Sequence, residues 1–210
     1  MTYDQIGGKW IAVGLASSDC GGEAPSEIWV VFTLGPQPDG TLVGDSIRAS
    51  TDSLCAAKRT LKSTRTGDAD PDKVPDPAVL PPRAISPADD LHGSYRQATT
   101  FTNGNILHGQ VLSADTYCLR TGDKCMSLFQ AGGSAVTLVY ADEKWSRNQQ
   151  GNATCPDGGT AKVTITAEYP MPGTLDDPIS VLTGRGTQTI LGSAYTGGGD
   201  CEDRFERAVD

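Results

Sequence analysis

Ser46 lies in the run Gly44-Asp45-Ser46-Ile47, and Asp89-Asp90-Leu91-His92 follows it. A serine hydroxyl becomes a nucleophile when a base takes its proton and a third group orients that base. Ser46, His92 and Asp89 are residue types that could fill those three roles in an acyl transfer. Six cysteines complete the reactive inventory: Cys20, Cys55, Cys118, Cys125, Cys155 and Cys201. Zinc ribbons need Cys-x2-Cys knuckles, which no two of these cysteines form, and the only histidines are His92 and His108. An even cysteine set without metal spacing reads as disulfides, and disulfides imply an oxidising compartment. Composition alone leaves the pairing open.

Other chemistry is excluded motif by motif. The chain has no Gly-x-Ser-x-Gly elbow, no Gly-x4-Gly-Lys-Ser/Thr loop and no His-Glu-x-x-His. It also lacks His-Arg-Asp and Asp-Phe-Gly, so no kinase constellation is present. Gly184-Arg185-Gly186 starts a dinucleotide fingerprint, but Thr189 stands where its third glycine belongs. Asp68, Asp70 and Asp72 imitate a calcium loop, which then requires glycine and a final glutamate where Lys73 and Val79 occur. The expectation is therefore no catalytic, cofactor-binding or metal site.

The charge balance narrows the partners. Seventeen basic residues against twenty-six acidic ones give a net charge of −9. No basic stripe exists for nucleic acid, and an anionic membrane surface would repel the chain. The longest apolar run, Ile28-Trp29-Val30-Val31-Phe32, is far short of the ~20 residues that span a bilayer. The opening MTYDQIGGKW has no basic start followed by an apolar run, so it does not read as a signal peptide. An oxidised chain without an export signal is expected to be the extracytoplasmic piece of a longer protein. It would touch the membrane only through a helix upstream.

The elements that must carry these residues read as strands. EIWVVFTL is β-branched and aromatic and stops at Gly35-Pro36. SYRQATTF and NILHGQVLSADTY flank Thr102-Asn103-Gly104, and CMSLFQA and SAVTLVYA flank Gly132-Gly133, so each reads as a hairpin. TAKVTITAEY alternates, with Val163, Ile165, Ala167 and Tyr169 on one face. DDPISVLTG predicts a short helix capped by Asp177, opened by Pro178 and stopped by Gly184. The stretch 66–90 carries six prolines among acids and reads as a linker or draped loop. The predicted fold is all-β to β-dominated α+β, with antiparallel sheets and few short helices. An N-terminal module (1–65) and a C-terminal module (91–210) lie on either side of that linker.

A weak repeat orders the cysteines. Trp10 precedes Cys20, and Trp145 precedes Cys155, by the same interval. Gly-Gly, a strand and a proline turn follow each cysteine, and Cys55 or Cys201 closes each unit. The repeat predicts Cys20–Cys55 and Cys155–Cys201. Cys118–Cys125 then remains as a local staple around Thr121-Gly122-Asp123. The repeat also places Trp10 and Trp145 alike, as core residues.

Three resemblances bear on function. Gly44–Ile47 resembles the nucleophile block of GDSL esterases, and Asp89–His92 resembles their Asp-x-x-His. Those enzymes are α/β folds with a Gly-x-Asn-Asp block that is absent here, so Ser46 reads as a strand-surface residue. Gly8-Lys9-Trp10 resembles the Gly-x-Trp of lipocalins, which are closed barrels around small apolar ligands. The longest likeness covers about residues 93–210: YCLRTGDKCMSLF, VYADEKWSRN, CPDGGTAKVTITAEYPMP, DPISVLTGRGTQTILGSA and GGGDCEDRFERAVD. This string resembles the extracytoplasmic region of mycobacterial membrane-anchored serine/threonine protein kinases and related exported proteins. That resemblance implies a sensor domain, with an extracellular ligand or homodimerisation controlling a cytoplasmic kinase. The alternative is a free-standing exported small-molecule-binding protein or lipoprotein domain. A GDSL-like esterase using Ser46 is the remote third reading.

Overall fold

The structure, a computed structural model, describes all residues except 23, 69, 71–75, 77–78, 133, 155–157, 175, 193–195 and 209–210. Residues 4–63 form a five-stranded antiparallel meander: β1 (Asp4–Ile6), β2 (Lys9–Ser18), β3 (Ser26–Pro36), β4 (Leu42–Ser50) and β5 (Ala56–Ser63). Residues 93–207 form a closed eight-stranded barrel. Its strands are β6 (Gly93–Phe101), β7 (Ile106–Cys118), β8 (Cys125–Ala131), β9 (Ser134–Ala141), β10 (Lys144–Thr154), β11 (Thr160–Pro170), β12 (Val181–Gly192) and β13 (Thr196–Arg207). Each barrel strand pairs with its sequence neighbours, and β13 returns to pair with β6. The fold is all-β, with no α-helix among the described residues.

Period-two alternation builds the barrel core. An eight-stranded barrel is just wide enough for side chains to fill it. Tyr95, Phe129, Phe205, Tyr169 and Trp145 point inward and are fully buried with Leu138 and Leu182. Phe129 and Phe205 stack with centroids 4.6 Å apart. The strand β8 is buried on both faces. Cys125 and Phe129 face the lumen, whereas Met126 and Leu128 face outward onto the meander. Trp29, Val31, Ile47 and Ala49 of the meander complete that second cluster.

Both predicted hairpins are present, as β6–β7 and β8–β9. The predicted helix over Asp176–Gly184 is not: Val181 begins β12. Here β-branched Val181, Thr183, Thr187 and Thr189 outweigh the capping signal. Gly184 is not a helix stop but a close-approach position. A Cβ there would lie 2.2 Å from the Tyr169 ring, and one at Gly186 would lie 2.0 Å from the Thr166 carbonyl oxygen.

The proline-rich stretch is described only in part. Asp72 and Lys73 of the imitation calcium loop lie outside the described residues. Its end ties to the barrel: Ala84 N–H donates to the Arg120 carbonyl at 3.0 Å. A single 3-10 turn, Pro87–Asp90, then forms, with Ser86 as its cap and Pro87 at its start.

Trp10 departs from its expected role. It opens β2 as Trp145 opens β10, after turns at Gly7-Gly8 and Asp142-Glu143 that all have positive φ. Trp145 is buried and donates to Ser127 Oγ at 3.1 Å, whereas Trp10 is 38% exposed. The reason is closure. The face holding Trp145 lines a barrel, and the equivalent face of the meander is not closed over by further strands.

Candidate functional site

Buried inside the barrel is a charged cluster that the sequence reading assigned no role. Arg147 Nη1 lies 2.7 Å from Asp203 Oδ2, and both side chains are almost wholly buried. Tyr169 Oη donates to the same oxygen at 2.8 Å. Asp203 Oδ1 accepts from Thr99 Oγ1 and, at 3.4 Å, from Gln97 Nε2. Arg147 turns its remaining donors to Gln149, with Nε 2.9 Å from Oε1. Parity explains the meeting: Arg147 shares the inward face of Trp145, and Asp203 that of Phe205. Burial, then the charge of Asp203, pushes the Tyr169 phenol well above its ordinary value. A saturated, inaccessible ion pair of this kind anchors strands and leaves no group open to a substrate.

The serine, histidine and aspartate singled out by type stand apart in their contacts. Ser46 lies in β4 opposite Phe32 and Arg59. His92 Nε2 hydrogen-bonds Asp177 Oδ1 at 2.7 Å, on the surface. Asp89 closes the cap of the 3-10 turn, reaching back to the Ser86 amide at 3.5 Å.

The cysteines do bring elements together. Cys20–Cys55 and Cys118–Cys125 are disulfides, as the spacing predicts. They place the chain in an oxidising, extracytoplasmic compartment, and none of its described helices is long and apolar enough to cross a membrane. The expected Cys155–Cys201 pair falls outside the described residues, because Cys155 does; Cys201 is buried and forms no disulfide with a described cysteine. Burial and the charge of Asp203 push the Cys201 thiol up, which blunts it as a nucleophile.

The Cys20–Cys55 bridge anchors a loop in the barrel seam. Pairing between β9 and β10 stops after three residue pairs, at Ser146 opposite Val139. Just beyond, Gln150 N–H donates to the Asp52 carbonyl at 2.8 Å, and Thr137 N–H donates to Ser53 Oγ at 3.1 Å. The loop thus satisfies one backbone donor on each side of the seam, and Ser26 Oγ hydrogen-bonds the Asp52 carboxylate to hold it.

An accessible cavity lies where the two units meet. A groove of about 450 Å³ is walled by Ile6, Ile11 and Val13 of the meander, by Ile85, and by Tyr117 of the barrel. Ile85 is 93% exposed at its edge, and Ile6 is also exposed. Polar groups gather in the same groove: Arg83, Asp89 and Thr116. Arg83 Nη2 donates to the Cys118 carbonyl at 2.8 Å. Arg83 and Arg120 both grip Asp4 of β1, at 3.4 and 3.1 Å, and so clamp meander to barrel. Burial raises the Asp89 carboxyl above its ordinary value, against the pull of its hydrogen bond and of Arg83. Apolar walls with a few convergent polar groups suit a small organic ligand.

Sequence reasoning missed this groove because its walls come from β1, β2, the proline-rich strap and β7. The signal in the chain was Ile85, a large apolar residue in a proline-rich stretch that reads as a linker. Compared with known proteins, the chain matches no family model, no curated protein and no solved structure.

Proposed function

We propose that this chain is an extracytoplasmic ligand-binding sensor domain, of the kind carried by membrane-anchored serine/threonine protein kinases. The observation that carries the reading is the junction groove, whose walls come from both units. A ligand wedged there would fix the meander against the barrel and bias their relative placement. That is how binding outside a membrane becomes a change of arrangement that a tethered cytoplasmic kinase can read. Self-association would act by a related route, since tethering turns a weak encounter into a high effective concentration. The kinase assignment rests on the likeness of residues 93–210 to such ectodomains. The same groove would equally serve a free-standing exported binding protein.

The test has two arms. The first is the full-length gene: a kinase domain and membrane helix upstream support the sensor, and a signal peptide supports the exported binder. The second is titration with N-phenyl-1-naphthylamine, an apolar fluorophore. Saturable enhancement is expected, weakened about tenfold or more by Val13→Asp, which buries an unpaired charge in the groove wall. Enhancement that is absent, or unchanged in Val13→Asp, counts against the groove as the ligand site.

A further inference from the structure

A second groove runs over the outer wall of the barrel. Tyr95 faces the lumen from β6, so Arg96 and Ala98 behind it alternate outward; Asp203 and Phe205 face inward from β13, so Arg204 and Glu206 face outward. Ala98 is flanked by Arg204 on β13 and His108 on β7, and Arg96 stands opposite Glu206. With Arg207 these residues enclose about 530 Å³. The small side chain of Ala98 leaves the depression, and long cationic side chains form its rim.

Charge gives the groove its chemistry. Among the described residues, three guanidinium groups and an imidazole face a single carboxylate, Glu206, in a chain whose net charge is −9. Glu206 is engaged by Arg204 Nε at 3.4 Å. Arg96 and Arg207 have no acidic partner among the described residues, whereas Arg83, Arg120 and Arg147 are each paired with an aspartate. Placing uncompensated cations side by side costs self-repulsion, which a bound anion relieves. A guanidinium presents a planar fork of donors that fits an oxyanion through two parallel hydrogen bonds. The volume exceeds that of a bare oxyanion and leaves room for the group that carries it.

We propose that this groove is a phosphate-binding site, accepting the phosphate of a soluble monoester or of an anionic lipid headgroup. It is separate from the apolar junction groove, and its test does not depend on the ligand of that groove.

The experiment titrates the intact chain with glycerol 3-phosphate by calorimetry. In parallel, the chain is floated with phosphatidylglycerol vesicles, using phosphatidylcholine vesicles as control. Both are repeated with Arg96→Ala/Arg207→Ala, whose exposed positions leave the barrel core untouched; circular dichroism verifies the fold. Saturable binding is expected, weakened by salt and reduced about tenfold or more in the double variant, since each lost guanidinium removes charge-assisted hydrogen bonds. Variant-sensitive binding to glycerol 3-phosphate identifies a soluble ester as source, and variant-sensitive binding to vesicles alone identifies a lipid headgroup. Either supports the site. No saturable binding to either probe, or binding that the double variant retains in full, overturns it.

Discussion

Asp203 accepts four hydrogen bonds on two oxygens, and one of its donors is a buried guanidinium. Removing one partner of a buried pair strands the other charge, which costs more than the pair itself contributes. Asp203→Ala should therefore lower unfolding stability by about 3–5 kcal/mol in chemical denaturation. A loss below about 1 kcal/mol, the range of exposed pairs, would show that the cluster is not the anchor described. Buried phenols give a second expectation. Burial pushes Tyr95 up to about 12, and Tyr117 and Tyr169 further. A phenol whose folded value is raised contributes stability that is intact below its unfolded value of about 10. That stability is lost as pH rises through the folded value. Alkaline unfolding should accordingly set in above about pH 10, with the tyrosinate absorbance of these residues rising together with loss of β-structure. Full ionisation of all three before unfolding would contradict their placement.

Among the elements, the Thr51–Cys55 loop is the most consequential short segment, because it stands where the β9–β10 ladder has stopped. Its geometry is maintained by a disulfide that closes a separation of 35 residues, against 7 for Cys118–Cys125. In the loop-entropy model these bridges constrain the unfolded chain by about 4 and about 2.5 kcal/mol. Cys20→Ser/Cys55→Ser should cost more in thermal unfolding than Cys118→Ser/Cys125→Ser. It should also speed hydrogen exchange at the Gln150 and Thr137 amides, which the loop engages. Equal losses, or unchanged exchange at those amides, would separate the bridge from the seam.

For the molecule as a whole, the strand β8 is the common wall. Its inner face belongs to the barrel core and its outer face to the cluster around Trp29. Lys124 strengthens the same junction. Its Nζ lies 2.7 Å from Glu27 Oε1 and 6.0 Å from the centre of the Trp29 ring. Shared burial couples the units, so calorimetry should show one unfolding transition. Trp29→Ala should lower stability by about 3–5 kcal/mol through cavity formation. It should also weaken fluorophore binding in the junction groove, because Val13 packs both on the Trp29 cluster and against that groove. Two resolved transitions in the unaltered chain would show that meander and barrel fold independently.

Local chemistry made much of this protein legible in its sequence. Alternation marked the strands, Asn-Gly and Gly-Gly marked two hairpins, and spacing paired Cys20 with Cys55 and Cys118 with Cys125. These features depend on neighbours within a few residues or on a repeated interval, so the linear chain carries them. The misread segment at 176–184 shows where that stops: capping signals and β-branched residues competed, and pairing with β13 from Val181 onward decided for the strand. The opposite environments of Trp10 and Trp145 could not be told apart locally, because only closure of the barrel buries one of them. Arg147 and Asp203 are 56 residues apart, and the groove walls run from Ile6 to Tyr117. Such sites exist only once β13 has paired with β6 and the meander has docked on β8. Charge pairs and cavities are properties of surfaces brought together in space, and the tertiary structure alone decided which surfaces those were.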